Sequence, residues 1–193
     1  MRMKMLLLLG AMMTASLSAQ NNQNGSTPGP GNLEVAVTWD FSAADVVGGN
    51  GFTMQGGGVQ LHGQFWRGLG AVADVGGLHS GNMHNSGVGL DLVTATFGPR
   101  YTWQPARRRC AVYAQFLVGE ASGLHSVFPA AQGAAENADS IAWLAGGGMN
   151  ISLRRHLALR ILEADWLRTQ MPNAAANVQN NLRLGAGLVF RFQ

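Results

Sequence analysis

The last thirteen residues, Asn181 to Gln193, read N-L-R-L-G-A-G-L-V-F-R-F-Q and restrict the fold more than any other part of the chain. In an extended strand, Leu182, Leu184, Ala186, Leu188, Phe190 and Phe192 fall on one face, and Arg183, Gly185, Gly187, Val189 and Arg191 on the other. Alternation held over eleven residues is longer than the usual soluble strand. It matches the length a tilted strand needs to cross a bilayer, with one face towards lipid and the other towards a lumen.

Composition agrees with that reading. Charged residues make up 12% of the 193, about half the share of an ordinary soluble domain. Glycine is abundant at 27 residues, yet without the G-X-Y period of collagen. After the N-terminus no apolar run is long enough for a membrane helix. Met1 to Ala19 reads as a secretory signal peptide: Arg2 and Lys4, then Leu6 to Leu9, then the small residues Ser16 to Ala19. Residues 20–32 read as a disordered periplasmic lead-in. Without the signal segment, 11 arginines face 10 acids, a balance that excludes nucleic acid as a partner. The lone Cys110 allows no internal disulfide and reads as an apolar packing residue.

Alternating segments then succeed one another. Leu33–Phe41, Gly57–Phe65, Leu69–Gly77, Val88–Trp103, Cys110–Glu120, Ser140–Ser152, Leu157–Thr169 and Asn181–Phe192 predict eight strands. Short turns at 66–68, 104–109 and 154–156 alternate with longer loops at 42–51, 79–86, 121–139 and 169–179. Short periplasmic turns and long extracellular loops are the pattern of an outer-membrane barrel, and an even strand count puts both termini in the periplasm. In the fourth segment Leu90 and Leu92 read as outward, opposite Asp91, so the phase of Phe97, Pro99 and Tyr101 demands a switch or bulge. A soluble exported barrel of lipocalin type, with its apolar face inward, would carry many Lys and Glu outside; the face opposite the apolar one is mainly Gly, Ala, Asn and Gln.

From about Leu33 to Phe192 the chain resembles the OmpA-like and OprF-like small outer-membrane barrels. The signal peptide, the eight alternating segments, the L-R-L-G-A-G-L-V-F-R-F ending and the Gly98-Pro99-Arg100-Tyr101 run carry the resemblance. It implies an all-β, up-and-down transmembrane barrel over 33–193 in the bacterial outer membrane, here without the family's peptidoglycan-binding domain. It also implies outer-membrane lipid and the barrel assembly machinery as partners. Leu184, Leu188, Phe190 and Phe192 would then form the C-terminal assembly signal. Members of the family serve as structural proteins, adhesins, narrow pores or receptors.

Glu34, Asp40, Asp74, Asp91, Glu163, Asp165, Arg183 and Arg191 are assigned to the lumen phase. Buried charges need partners, and closure of the first strand on the last predicts Glu34 beside Arg191 and Asp40 beside Arg183. His62 also points inward, within reach of Asp74. Arg160 shares a phase with Leu162 and Trp166, so it either snorkels from the lipid face or is turned inward by a bulge. Six arginines (Arg67, Arg107, Arg108, Arg109, Arg154, Arg155) occupy the short turns, as a solvated rim or against anionic headgroups. A lipid deacylase in such a barrel needs a His-x-Ser pair, because alternate residues share a face. Here His79-Ser80 and His125-Ser126 are adjacent. His79 and His84 share one loop without a complete metal ligand set. The glycine runs lack the Lys-Ser/Thr of a phosphate loop. The reading is therefore a monomeric, non-catalytic outer-membrane barrel without metal or cofactor. Its role is structural or surface-interacting, with a lumen plugged by paired charges and an unnamed extracellular ligand. A narrow porin-like channel for small solutes is the alternative, and a lipid-modifying enzyme a more distant one.

Overall fold

The computed structural model describes residues 33–44, 51–81, 88–105, 109–130, 133–172 and 177–192. The expected signal peptide and lead-in fall outside these residues, as do Arg107, Arg108 and His84. The strands are β1 (Leu33–Ala44), β2 (Phe52–Trp66), β3 (Leu69–Ser80), β4 (Leu90–Trp103), β5 (Cys110–Leu124), β6 (Phe128–Ala130), β7 (Gly133–Ala135), β8 (Ala138–Arg154), β9 (Leu157–Thr169) and β10 (Gln179–Phe192). Eight of them close into a barrel in the order β1-β10-β9-β8-β5-β4-β3-β2, all neighbours antiparallel. The seam joins β1 to β10, from Leu33 opposite Phe192 to Ala43 opposite Leu182. Closure leaves no free edge among these eight strands, which a bilayer requires because it offers no water to unpaired backbone groups. β6 and β7 form a separate small hairpin within the longest loop.

The outside of this barrel is apolar. Val37, Trp39, Val59, Val75, Phe97, Phe116, Trp143, Trp166, Leu188 and Phe190 are all exposed. A continuous apolar belt of this kind far exceeds the patches tolerated on soluble monomers and fits contact with lipid. Phe65, Trp66, Trp103 and Phe192 ring the end that carries the short turns, the position of an interfacial aromatic girdle. Between β2 and β3, Arg67 (φ 36°) and Gly68 (φ 91°) make a two-residue turn with both φ positive, which matches the twist of the strands it joins.

Two strands depart from the alternation expected of them. β4 needs no bulge against β3: the register runs unbroken from Tyr101 opposite Leu69 to Leu90 opposite Ser80. Its single phase turns Phe97, Pro99 and Tyr101 outward, Arg100 inward, and Leu90 and Leu92 into the lumen. The leucines are accommodated because the extracellular half of the lumen is itself apolar. There they join Met54, Leu78, Leu117, Leu144, Leu167, Met171 and the β6 residue Phe128 in one buried cluster.

β9 carries the irregularity instead. Glu163 lies opposite Gly185, but Arg160 lies opposite Gly187, so β9 spends one more residue than β10 over this interval. Ile161 and Leu162 both stay outside, and Arg160 turns fully inward. Of the two expected placements of Arg160, the structure selects the bulge.

Candidate functional site

Below the apolar cluster, the lumen holds charged and amide side chains from nearly every strand. Glu34, Asp40, Asp74, Glu163 and Asp165 supply carboxylates; Arg100, Arg160, Arg183 and Arg191 supply guanidiniums; all are buried, as are Gln60, His62, Gln115 and Asn150. Each arrives there by strand parity, since alternate residues face the same side.

At the centre, Gln60 on β2 donates to Asp74 Oδ2 at 2.8 Å and to Glu163 Oε1 at 2.7 Å. Gln115 on β5 donates to the same Glu163 oxygen at 2.9 Å and to Asp165 Oδ1 at 3.1 Å. Arg160 reaches Glu163 Oε2 at 2.7 Å and Gln60 Oε1 at 2.6 Å. Arg183 bridges two acids, Asp165 at 2.9 Å and Asp74 at 3.3 Å. Arg100 donates to the carbonyls of Gln60 and Gln115. Two guanidiniums come together here, and the Tyr113 ring lies against both, 4.1 Å from Arg100 and 4.9 Å from Arg160. The negative ring face offsets part of their mutual repulsion. Glutamine suits this place because one amide both donates and accepts, so it links an acid to an arginine without adding charge.

Nearer the short turns, Arg191 Nε donates to Glu34 at 2.8 Å, and His62 Nδ1 lies 3.2 Å from the other Glu34 oxygen. Arg191 also donates to Ser152. Ala36, Ala158 and Val189 form a small apolar layer between this group and the central network.

The sequence-assigned lumen residues therefore divide. Glu34, Asp40, Asp74, Glu163, Asp165, Arg183 and Arg191 face the lumen, and Glu34 meets Arg191. Asp40 does not take Arg183, whose guanidinium goes to Asp74 and Asp165. It lies over Gly58 and Gly185 of the flanking strands, and a Cβ on Gly185 would collide with its carboxylate. His62 meets Glu34 rather than Asp74. Asp91 is not a lumen residue at all: the phase that turns Leu90 and Leu92 inward puts it on the outer surface. Gln60, Tyr113 and Gln115 share the lumen phase expected of β2 and β5, but being uncharged they stand outside the charge network read from the sequence, as do Asn150 and Arg100. For Arg100 the signal was present, since an outward Tyr101 requires an inward Arg100 on the same strand.

Asp91 instead anchors a cluster at the extracellular rim. His79 Nδ1 lies 2.6 Å from one of its oxygens and His125 Nδ1 lies 2.8 Å from the other. The imidazoles are largely exposed and the cluster stands at the strand tips, above the apolar belt. Hydrogen bonds, first from His79 and then from His125, hold the Asp91 carboxyl below its usual range. Ser80 points into the lumen while His79 points out, as their adjacency requires. Ser122 donates to Asp139, and Ser126 Oγ has no hydrogen-bond partner among the described residues, so His125 activates neither. The candidate assembly residues Leu184, Leu188, Phe190 and Phe192 all lie on the outer face of β10.

No protein-family model and no curated protein sequence matches the chain. Among solved structures it is similar to Neisserial surface protein A, with a TM-score of 0.63 and 12% identity over 85% of this chain and 99% of that one. It is also similar to Ail, the attachment invasion locus protein of Yersinia pestis, with a TM-score of 0.55 and 15% identity, covering 84% of this chain and 100% of that one. For the outer membrane protein OprG from Pseudomonas aeruginosa the TM-score is 0.51 at 8% identity, covering 87% of this chain and 100% of the other. The chain has the fold of the small outer-membrane β-barrels. In such a barrel the apolar belt described above is the lipid-facing surface, and the loops beside Asp91 lie on the side opposite the short turns. The outer-membrane barrel expected from the resemblance is thus found at the level of fold; identities this low assign no ligand and no role.

Proposed function

We propose that this outer-membrane barrel is a structural or surface-interaction protein rather than an open channel or an enzyme. The observation that carries this reading is the cross-lumen bonding of Gln60 to Glu163 and of Arg183 to Asp74, each pair coming from walls three strands apart around the barrel. Side chains linked in this way occupy the bore, as the interior of an eight-stranded barrel is expected to do. The leucine-rich cluster under Phe128 adds a second, dry layer above them. With the bore so filled, contact with the outside falls to the strand tips at the end opposite the short turns and to the connections between them. That two proteins of similar fold are named for the cell surface and for attachment supports the same reading. The lumen network, not a catalytic centre, accounts for the buried charges.

A narrow water path is the second reading. It is favoured by buried polar nitrogens in the lumen that have no hydrogen-bond partner among the described residues: His62 Nε2, Arg160 Nη2 and Arg191 Nη2. Planar-bilayer recording of the purified protein separates the two. A closed lumen gives no reproducible single-channel steps; regular steps in simple salt refute the closed reading in favour of the pore.

A further inference from the structure

The outer surface carries its charge in two separate zones. Among the described residues, the carboxylates that reach the surface are Asp91, Glu120, Glu136 and Asp139, and all stand in the half of the barrel remote from the short turns. The exposed Arg168 lies in that half too, opposite Trp143 of β8 and Asn180 of β10. The short-turn end instead carries Arg67, Arg109, Arg154 and Arg155, all exposed, and shows no exposed acid among the described residues. Glu34, the acid nearest that end, is buried and bonded to Arg191 and His62.

Arg109, Arg154 and Arg155 are gathered on one side of the barrel. The Ser152 amide donates to the Arg109 carbonyl at 2.7 Å, which sets Arg109 beside the turn from β8 to β9, where Arg154, Arg155 and His156 follow. His156 brings no counter-charge, since its Nδ1 lies 3.2 Å from the backbone carbonyl of Arg191. Arg67 stands at the neighbouring girdle, its guanidinium 5.9 Å from the centre of the exposed Trp66 ring. The rim therefore presents a positive field that no described side chain neutralises.

What adjoins the guanidiniums selects the partner. Two turns pass from an exposed apolar side chain directly to arginine, Trp66 to Arg67 and Leu153 to Arg154. Trp66 and Leu153 end the lipid-facing belt at this rim, so the next residue stands where acyl chains give way to headgroups. An acidic soluble protein could meet the arginines, but the bilayer already covers the apolar side chains beside them. A phospholipid with a negatively charged headgroup meets both at once.

We propose that the periplasmic rim binds an anionic phospholipid of the phosphatidylglycerol type, its phosphate held between Arg109 and the Arg154–Arg155 turn and its acyl chains against Leu153 and Val112 of the outer face. The site lies wholly outside the lumen and is independent of whether the barrel conducts.

The test is native mass spectrometry of the full barrel, refolded in detergent with equal amounts of phosphatidylglycerol and the zwitterionic phosphatidylethanolamine. One variant combines Arg109→Gln, Arg154→Gln and Arg155→Gln; the other, Arg168→Gln, removes an exposed arginine from the opposite end. Heat-dependent gel mobility checks that each variant remains a closed barrel. Wild type is expected to retain phosphatidylglycerol in preference to phosphatidylethanolamine. The triple variant should lose that preference by roughly fivefold or more, the scale of one basic residue at an anionic membrane surface, and Arg168→Gln should keep it. Equal retention of the two lipids, no retained lipid, or an unchanged preference in the triple variant would overturn the assignment. So would an equal loss in Arg168→Gln, because total charge rather than this rim would then set retention.

Discussion

Replacing Arg183 with methionine probes the lumen network at its most demanding point. The side chain is buried, and its guanidinium serves both Asp74 and Asp165. Removing one partner of a buried ion pair costs about 3–5 kcal/mol, because the remaining charge is left uncompensated. Here each acid keeps one amide donor, Gln60 on Asp74 at 2.8 Å and Gln115 on Asp165 at 3.1 Å. Those bonds place the expected loss at the lower end, about 3 kcal/mol. With a urea slope of roughly 1–3 kcal/mol per molar, the unfolding midpoint should fall by about 1–3 M. The assay is urea titration of vesicle-inserted protein, read as loss of the fast-migrating unboiled band on a dodecyl sulfate gel. Combining Arg183→Met with Asp74→Asn and Asp165→Asn should recover most of the loss, since both uncompensated charges are then gone. A midpoint unchanged in the single variant, or no recovery in the triple variant, would mean that water rather than Arg183 satisfies these carboxylates.

Other perturbations address the remaining layers. Val37→Arg places a charge on the lipid face near the middle of β1 and should destabilise the inserted barrel by about 2–4 kcal/mol in the same urea titration; a negligible effect would argue that this face meets water. Replacing Phe190 and Phe192 by serine should lower the amount of folded protein recovered from the outer membrane, and unchanged levels would remove these residues from any assembly signal. Gly70→Val should weaken the periplasmic end of the barrel, because a Cβ at Gly70 would collide with the His62 imidazole that meets Glu34 and with the Gly63 backbone carbonyl of the neighbouring strand. Its fast-migrating gel band should convert to the slow one at a lower temperature than wild type.

How far the fold was legible depends on which face of each strand was distinctive. β1, β3 and β10 each set a mainly apolar face against one that carries charge together with glycine or small residues, so their outward faces followed from the letters alone. β4 puts leucine on the lumen phase and Phe97 and Tyr101 on the lipid phase, and its upper half contains apolar residues on both. Side-chain type cannot orient such a segment. The unbroken register with β3 orients it, and Asp91 moves from the lumen to the rim as a result. Strand ends were also underestimated: β2 begins at Phe52 and β5 runs to Leu124, because pairing with a neighbour continues past the point where the apolar pattern fades.

The sequence by itself determined an eight-stranded, lipid-facing barrel, since strand parity and length are local properties written residue by residue. It also determined that Glu34 and Arg191 would meet, because closure of an even up-and-down barrel leaves its first and last strands little choice of neighbour. Only the tertiary structure decided that Arg183 takes Asp74 and Asp165 rather than Asp40, and that Arg160 turns inward. It alone brought His79 and His125 onto Asp91. Those outcomes depend on stagger between strands, on one extra residue in β9 and on the reach of side chains across the bore. None of these is a property of any single segment; each exists only once all eight strands have taken their register around a closed ring.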